Sequence, residues 1–369
     1  MKKGRLIDEI ADWSNLMHAY KMASKGKKDW PAVMKFSKGL GKNFMKIENE
    51  LKSGSYKVTG YRYRYVYEKK KRLIMALPFY DRVVQWAIYA KIYDYLDNKM
   101  IYHSYGSRRD KGSVKAVNNL QKIVNHCYKS NNDCYYLKID VSKFFYRIDH
   151  GSLKKIVRRY FKNDPEVIKI LDSIIETDGY NFGLPRFKSI DDVGINGMVH
   201  ECGMPVGNLL SQLFANVYLN ELDQYCKHIL KIKNYYRYMD DIVILCNGKK
   251  QIRYYLLMIE KFMNGKLKLD LNGKTCIGKV KAGITFLSRR VYPNKIKLTR
   301  QATKRIKRRL LKTCRKYADY EISLDEAMET IDSYYAEIKH VNCDNLKEWM
   351  SQNVVLQRNR NPQFFKQNY

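Results

Sequence analysis

Three aspartates at the ends of predicted strands have the chemistry needed to hold metal ions. Asp140 closes an apolar run at 135–139, and Asp240-Asp241 separates two aromatic and β-branched segments at 236–238 and 242–245. Carboxylates that face one cleft repel one another unless cations lie between them. Oxygen donors of this kind suit Mg²⁺, which completes its shell with water and substrate phosphates. Two such ions can activate a hydroxyl nucleophile and stabilise a leaving pyrophosphate, which is the chemistry of nucleotidyl transfer.

Each of these acids also has an ordinary structural interpretation. Asp140 alone is typical of a strand end or a helix N-cap, and the pair Asp240-Asp241 alone is typical of a polar turn. The whole string Tyr238-Met239-Asp240-Asp241 is more specific, because a given four-residue string arises by chance in a chain of this length roughly a few times in a thousand. The apolar residues after it are those of a buried strand.

The elements that would position these acids follow from periodicity and turn residues. Helical spacing covers residues 1–53, and alternation over 56–67 and again over 72–75 predicts a hairpin around a basic turn. A mixture of helices and strands with a helical end predicts an α+β domain with a helical C-terminal appendage. Further helices are predicted from Asp81 onward and over 113–130, 151–177, 208–229, 250–264 and 299–317, strands over 135–140, 235–246 and up to Pro293, and a short hairpin within 179–207.

The charge of the chain favours a polyanionic partner. Its 70 Lys and Arg against 37 Asp and Glu give a net charge of +33, and self-repulsion of that size disfavours a compact state. Nucleic acid is the preferred partner, since no basic amphipathic helix stands apart as a membrane anchor. No segment is predicted to span a membrane or to act as a signal peptide, and the scattered cysteines fit reduced thiols, so a cytoplasmic location is expected.

Taken together, several segments resemble reverse transcriptases, and they follow one another in order over about residues 60–350. The string at 238–241 resembles the active-site motif of that family, and LKIDVSKFF at 137–145 resembles its first aspartate motif. The other matching segments are KKKRLIMALPFYDRVVQWAI at 69–88 and YGSRRDKGSVKAV at 105–117 for the fingers, GMPVGNLLSQLFANVYLNELD at 203–223 for template and nucleotide contact, LKLDLNGKT at 267–275 for the lysine motif, FLSRRVYP at 286–293 for the primer grip, and SYYAEIKHVNCDNL at 333–346 for the thumb.

The resemblance implies an RNA-directed DNA polymerase with right-hand architecture. Its fingers would cover residues 1–132, its palm 133–293 with a fingers insertion near 151–200, and its helical thumb and short tail 294–369. The implied cofactor is Mg²⁺ as two ions, with Mn²⁺ as an alternative. The implied partners are a template RNA, the DNA product and deoxynucleoside triphosphates.

The segment Val206–Gln212 narrows the resemblance further. An aliphatic residue before Gly207 and a Ser-Gln ending resemble the enzymes of diversity-generating retroelements. Those enzymes copy an RNA template with frequent errors at adenines, using their own structured RNA and usually a small basic accessory protein. Anti-phage defence reverse transcriptases, which make DNA from a non-coding RNA or an unusual template, are a second interpretation. A non-catalytic nucleic-acid-binding protein with the same fold is a third, against which the three intact aspartates argue.

The resemblance also implies roles for individual residues at the reaction centre. Asp140, Asp240 and Asp241 would hold the metals together with the backbone carbonyl of Val141. Lys274 would protonate the departing pyrophosphate, although an ordinary surface lysine is about equally expected.

The remaining roles concern the substrates. Phe145 would pack beneath the sugar and exclude a 2′-hydroxyl, although one of Phe144 and Phe145 is expected in the core. Lys70 and Arg72 would contact the triphosphate, with a solvated basic turn as the alternative. Val206, Gly207 and Gln212 would lie near the incoming nucleotide. The residues expected at the primer and template are Tyr238, Met239, Phe286 and Leu287, with packing as the alternative for the last two.

Overall fold

The computed structural model describes residues 5–67, 71–130, 134–177 and 179–359. The chain divides into two compact units. The first contains Met1–Gly112, Ile139–Ile242 and Arg253–Cys276, and the second contains Ser113–Lys138, Val243–Ile252 and Ile277–Tyr369. Within the described ranges, no helix is both long and apolar enough to cross a bilayer.

The first unit begins with helices that pack around one buried helix, α5 (Phe79–Asp97). Apolar side chains such as Val83, Val84 and Ile88 are almost completely buried, as expected for a helix that is apolar on most of its circumference. The helices before it are α1 (Leu6–Ala11), α2 (Trp13–Ser24), α3 (Pro31–Lys38) and α4 (Leu40–Lys52), and α1, α2 and α3 contact α5.

The predicted hairpin is present but starts later than the alternating pattern indicates. Strands β1 (Arg62–Tyr67) and β2 (Lys71–Ala76) pair antiparallel, whereas residues 56–60 form no strand. These residues instead satisfy the buried carboxylate of Asp81 on α5. The Tyr56 hydroxyl donates to it at 2.8 Å and the Thr59 N–H at 3.2 Å, so the first part of the expected strand follows the helix surface.

The middle of the first unit is mainly helical. The predicted hairpin within 179–207 is limited to one antiparallel bridge between Gly183 and Val199. Beneath β2, a core of Leu73, Met75, Phe182 and Leu184 holds this segment in place. The helices here are α7 (Phe144–Arg147), α8 (His150–Tyr160), α9 (Pro165–Glu176), α10 (Ile190–Val193) and α11 (Leu209–Gln224), which continues as a π-helical turn over Tyr225–Ile229.

A four-stranded sheet carries the three aspartates. Its strands are β3 (Cys134–Asp140), β4 (Asn234–Tyr238), β5 (Asp241–Asn247) and β6 (Cys276–Lys279), in the order β4-β5-β3-β6. Two long helices adjoin these strands in the chain, α6 (Gly112–Ser130) before β3 and α12 (Lys249–Lys266) after β5.

The end of the second unit is a small sheet followed by helices. Strands β7 (Ile284–Phe286), β8 (Arg289–Tyr292) and β9 (Lys295–Leu298) pair antiparallel. Helices α13 (Arg300–Ala318), α14 (Leu324–Ile338) and α15 (Asp344–Asn353) share a core that includes Ile306, Leu310, Ile331, Ile338 and Leu346. The α+β expectation is therefore confirmed, while the fingers, palm and thumb boundaries stay a prediction.

Candidate active site

A tight turn between two strands presents Asp240 and Asp241. β4 ends at Tyr238 and β5 begins at Asp241. Met239 has a φ of +53°, in the left-handed region, so the chain reverses within two residues. Both acids are half-buried, and the Oδ1 atom of Asp241 is buried, while the adjoining strands remain in the core.

Asp140 is the last residue of β3, the strand next to β5 in the sheet. Its backbone is fixed by the segment that follows α12: the Asn272 N–H donates to the Asp140 carbonyl at 2.8 Å, and the Asp140 N–H donates to the Thr275 hydroxyl at 3.4 Å. Its half-buried carboxylate makes no hydrogen bond or ion pair with any described residue. A carboxylate in such a position is suited to a cation.

The donor set fits a divalent ion that shares its shell with a substrate. Among the residues the structure describes, no cluster of three or more His, Cys, Asp or Glu could hold a metal ion by itself. Val141 pairs with Leu271 in an isolated bridge. The flanking hydrogen bonds are made by the carbonyl of Asp140 and the N–H of Ser142, so the Val141 carbonyl takes no part in them. Carboxylate and carbonyl oxygens are the donors that Mg²⁺ prefers, and this ion takes the rest of its shell from water and phosphate oxygens.

Lys274 lies in the loop that contacts Asp140. The turn at 272–275 is closed by a hydrogen bond from the Thr275 N–H to the Asn272 carbonyl at 2.9 Å, and the Lys274 N–H donates to the Asn272 side chain at 3.2 Å. The Lys274 side chain is exposed. The turn therefore attaches the backbone of this lysine to the segment that supports Asp140.

Phe144 and Phe145 are separated by burial. Phe144 is only 2% exposed and belongs to the core, whereas Phe145 is half-buried with its ring centroid 5.5 Å from that of Phe144. The Met204 N–H donates to the Phe145 carbonyl at 2.7 Å, which fixes α7 against the segment that leads to Gly207. Phe145 is thus the ring of the pair that a substrate can contact.

The segment around Gly207 lies beside a cavity of about 360 Å³ in the first unit. The Met75 N–H donates to the Val206 carbonyl at 3.1 Å, which docks this segment on β2. Gly207 is exposed with a φ of +106°, and a Cβ there would approach Ile74 to 3.2 Å, so both conformation and space favour glycine. Residues lining the cavity include Ile74, Arg82, Gln85, Trp86, Gly207 and Asn208.

The other residues predicted to contact the substrates lie on different elements of the fold. Arg72 is exposed on β2, opposite Val66, and Gln212 is exposed on α11. Lys70 lies outside the described residues. The segment predicted to grip the primer belongs to the second unit, where Phe286 is completely buried. Packing therefore explains Phe286, and Leu287, half-buried in the turn, is the residue of that pair within reach of a ligand.

The sequence did not single out Arg237, Asp223, Asn216 or Gly106, which lie beneath the turn. Arg237 and Asp223 form a completely buried ion pair at 2.6 Å. A Cβ on Gly106 would come within 2.7 Å of the Met239 nitrogen. The sequence offers one signal for this network, which is a charged residue between two tyrosines in a predicted strand. An arginine buried at such a position requires a specific partner.

Comparisons with known proteins identify the family of the chain. The family model described as "Reverse transcriptase (RNA-dependent DNA polymerase)" matches residues 52–290. Protein YkfC of Escherichia coli is 26% identical over 280 residues, which cover 66% of this chain and 70% of that protein. The putative COX1/OXI3 intron 1 protein of Saccharomyces cerevisiae is 25% identical over 202 residues, covering 53% of this chain but only 22% of that protein.

The fold has a solved counterpart. The structure of apo telomerase from Candida tropicalis superposes with a TM-score of 0.50 at 14% identity, over 84% of this chain and 60% of that one. At this identity the likeness concerns the fold alone. The expected right-hand polymerase class is confirmed by the family match and by this likeness.

Proposed function

The chain belongs to the reverse transcriptase family, whose members are RNA-dependent DNA polymerases, and we propose that it extends a primer by copying RNA into DNA at Asp140, Asp240 and Asp241. The observation that carries this proposal is the half-buried carboxylate of Asp140, which ends β3 beside β5 and has no partner among the described residues. The Asp240-Asp241 turn is at the start of β5.

The residues of the first unit have complementary tasks in this proposal. Asp140, Asp240, Asp241 and the Val141 carbonyl hold two divalent ions, Mg²⁺ or Mn²⁺. Such ions, when bound, supply activation of the primer 3′-hydroxyl and stabilisation of charge on the leaving pyrophosphate. Lys274 donates a proton to that pyrophosphate, and its attachment to the Asn272 turn supports this role.

The nucleotide is selected and oriented by its surroundings. Phe145 blocks the space of a 2′-hydroxyl, and its half-buried position supports this. Arg72, with Lys70, grips the triphosphate through charge-assisted hydrogen bonds. Gly207 admits the nucleotide close to the backbone, with Val206 and Gln212 beside it. Tyr238, Met239 and Leu287 contact the primer and template.

Primer extension on an RNA template tests the reaction. Wild type, Asp240→Ala and Asp344→Ala are compared with Mg²⁺ and deoxynucleoside triphosphates, because the Asp344 side chain is 88% exposed and offers a matched loss of one carboxylate. We expect Asp240→Ala to lose activity at least about 1,000-fold, since a carboxylate proposed to hold the metal ions is removed, and Asp344→Ala to stay at the wild-type level. Activity of Asp240→Ala equal to that of the wild type would refute the site, and the absence of extension by all three proteins would favour a non-catalytic nucleic-acid-binding role.

For the biological setting, we propose an error-prone polymerase of the diversity-generating type that works with a cognate structured RNA and an accessory protein. The Val206–Gln212 sequence supports this. Val206 lacks a polar group that could check base-pair geometry, so Val206→Gln is expected to raise copying fidelity. Error rates that do not change on sequencing the products would contradict that expectation.

Defence against phage is the second candidate, favoured by the same segment, which resembles both groups. Sequencing the DNA made in cells together with the RNA that co-purifies separates the two. Adenine-directed changes in a copied repeat support the first role. Faithful copies of a non-coding RNA, together with protection in an infection assay, support the second.

A further inference from the structure

Arg237 is a charged side chain in the core of the first unit. It lies on β4, two residues before Met239, and is the largest of the completely buried side chains, at 0% exposed. Transferring a guanidinium out of water is costly unless its charge and its donors are all matched. The surroundings of Arg237 therefore show what this buried charge holds in place.

One side of the guanidinium is neutralised by α11. Nε and Nη2 of Arg237 donate to the two carboxylate oxygens of Asp223, at 2.8 and 2.6 Å, and the Tyr235 hydroxyl donates to the same carboxylate at 2.7 Å. Burial by itself lowers the pKa of Arg237, but the attraction and hydrogen bonds of Asp223 outweigh it and raise that pKa. The arginine is therefore charged at every working pH.

The other side of the guanidinium reaches the turn that carries the catalytic acids. Nη1 of Arg237 donates to the Met239 carbonyl at 3.2 Å and to the Asn216 side-chain oxygen at 2.9 Å. The Asn216 amide in turn donates to the Gly106 carbonyl at 2.7 Å. Met239 has the left-handed conformation of the turn that leads to Asp240 and Asp241, and this hydrogen bond is made to its carbonyl.

The backbone around Gly106 supports the same turn. The Arg237 N–H donates to the His103 carbonyl and the Tyr105 N–H to the Arg237 carbonyl, both at 2.9 Å. Gly106 then lies so close to Met239 that a Cβ would come within 2.6 Å of its side chain. The turn is thus fixed by a side-chain network and by backbone packing together.

We propose that Arg237 is a positioning residue that sets the affinity of Asp240 and Asp241 for divalent cations by fixing the Met239 carbonyl. This inference rests on the proposed metal site. Lysine would keep the charge, but its single ammonium group cannot bond Asp223 and the Met239 carbonyl at once as the forked guanidinium does. Arg237→Lys therefore separates the geometry from the charge.

Manganese binding to the full-length protein without substrate tests this by electron paramagnetic resonance. The variants are Arg237→Lys and Asn216→Ala, which leaves the ion pair intact. The control is Arg108→Lys, because Arg108 is also a nearly buried arginine paired with an aspartate, Asp97 at 2.6 Å, and its guanidinium donates to Asp97, Ile101 and Ser104 rather than to residues 239–241.

We expect Mn²⁺ to bind at least about 10-fold more weakly to Arg237→Lys and about 3-fold more weakly to Asn216→Ala, as estimated for the loss of a charge-assisted hydrogen bond. The Mg²⁺ concentration for half-maximal primer extension should rise by similar factors. Arg108→Lys should match the wild type in both measurements.

Wild-type Mn²⁺ affinity in a folded Arg237→Lys protein would overturn the inference. If thermal melting shows that this variant is unfolded, Asn216→Ala decides instead, and wild-type affinity there would overturn it equally. Asp240→Ala tests the proposed metal site itself. If this variant binds Mn²⁺ as the wild type does, the proposed metal site is wrong.

Discussion

Gly106→Ala adds a single methyl group beneath the catalytic turn. A Cβ at this position would lie 2.7 Å from the Met239 nitrogen and 2.6 and 2.8 Å from its Cγ and Sδ. Ordinary contacts begin near 3.4 Å, so the Met239 backbone must retreat by about 0.7 Å, the difference between 3.4 and 2.7 Å. Gly106 has no left-handed φ, and the cost is therefore steric.

This displacement should affect rate more than stability. Overpacking a well-filled interior costs about 1–3 kcal/mol, whereas misplacing catalytic groups by about 1 Å costs about 100-fold in rate. A movement of about 0.7 Å should therefore lower kcat roughly 10- to 100-fold. The assay is single-turnover primer extension at saturating nucleotide and Mg²⁺, with urea unfolding of the same protein.

The matched control is Gly265→Ala on α12, where a Cβ would have no atom within 4 Å. In a helix this exchange stabilises by up to about 1 kcal/mol, and activity should not change. A Gly106→Ala protein with wild-type kcat would refute the reasoning, because it would show that the turn is not held by contact with Gly106.

Other predictions concern selectivity, pH and turn strain. Phe145→Ala should increase ribonucleotide incorporation relative to deoxynucleotides at least about 10-fold in single-nucleotide extension, and an unchanged ratio would argue against the gate. His150 donates from Nε2 to the Gly203 carbonyl. Burial, with His200 and Lys154 nearby, outweighs this hydrogen bond and Asp149 and lowers the pKa of His150 below 6.5. The neutral form therefore stabilises the fold above that pH, and stability should fall by up to about 1.4 kcal/mol per pH unit as the pH drops below it. In urea unfolding between pH 5 and 8, His150→Gln should remove this slope, and a slope that persists would assign it to another group. Leu287 and Ser288 both have positive φ, +49° and +63°, so Ser288→Gly should stabilise by about 1 kcal/mol; a lower denaturation midpoint would contradict this.

Most helices and strands were predictable because their signals are local. The helices predicted over 113–130, 250–264 and 299–317 correspond to α6, α12 and α13, and the strands predicted over 135–140 and 235–246 correspond to β3, β4 and β5, each within a few residues of its bounds. The strand expected from residue 56 was wrong in its first part, because alternation does not reveal that Tyr56 and Thr59 bind the buried Asp81. Hydrogen bonds to the Asp81 carboxylate replace the strand-to-strand hydrogen bonds in this segment.

The sequence by itself determined the α+β class, the order of the motifs and the aspartates at 140, 240 and 241, since each is written in neighbouring residues. The tertiary structure decided that Phe144 is buried while Phe145 is half-buried, that Phe286 is buried, and what supports the turn at Met239–Asp241. Arg237 pairs with Asp223 from another element, and the turn packs on Gly106, which lies far from it in the chain. Partners so distant in sequence leave no periodic trace, because only the folded chain brings a buried charge and its counter-charge together.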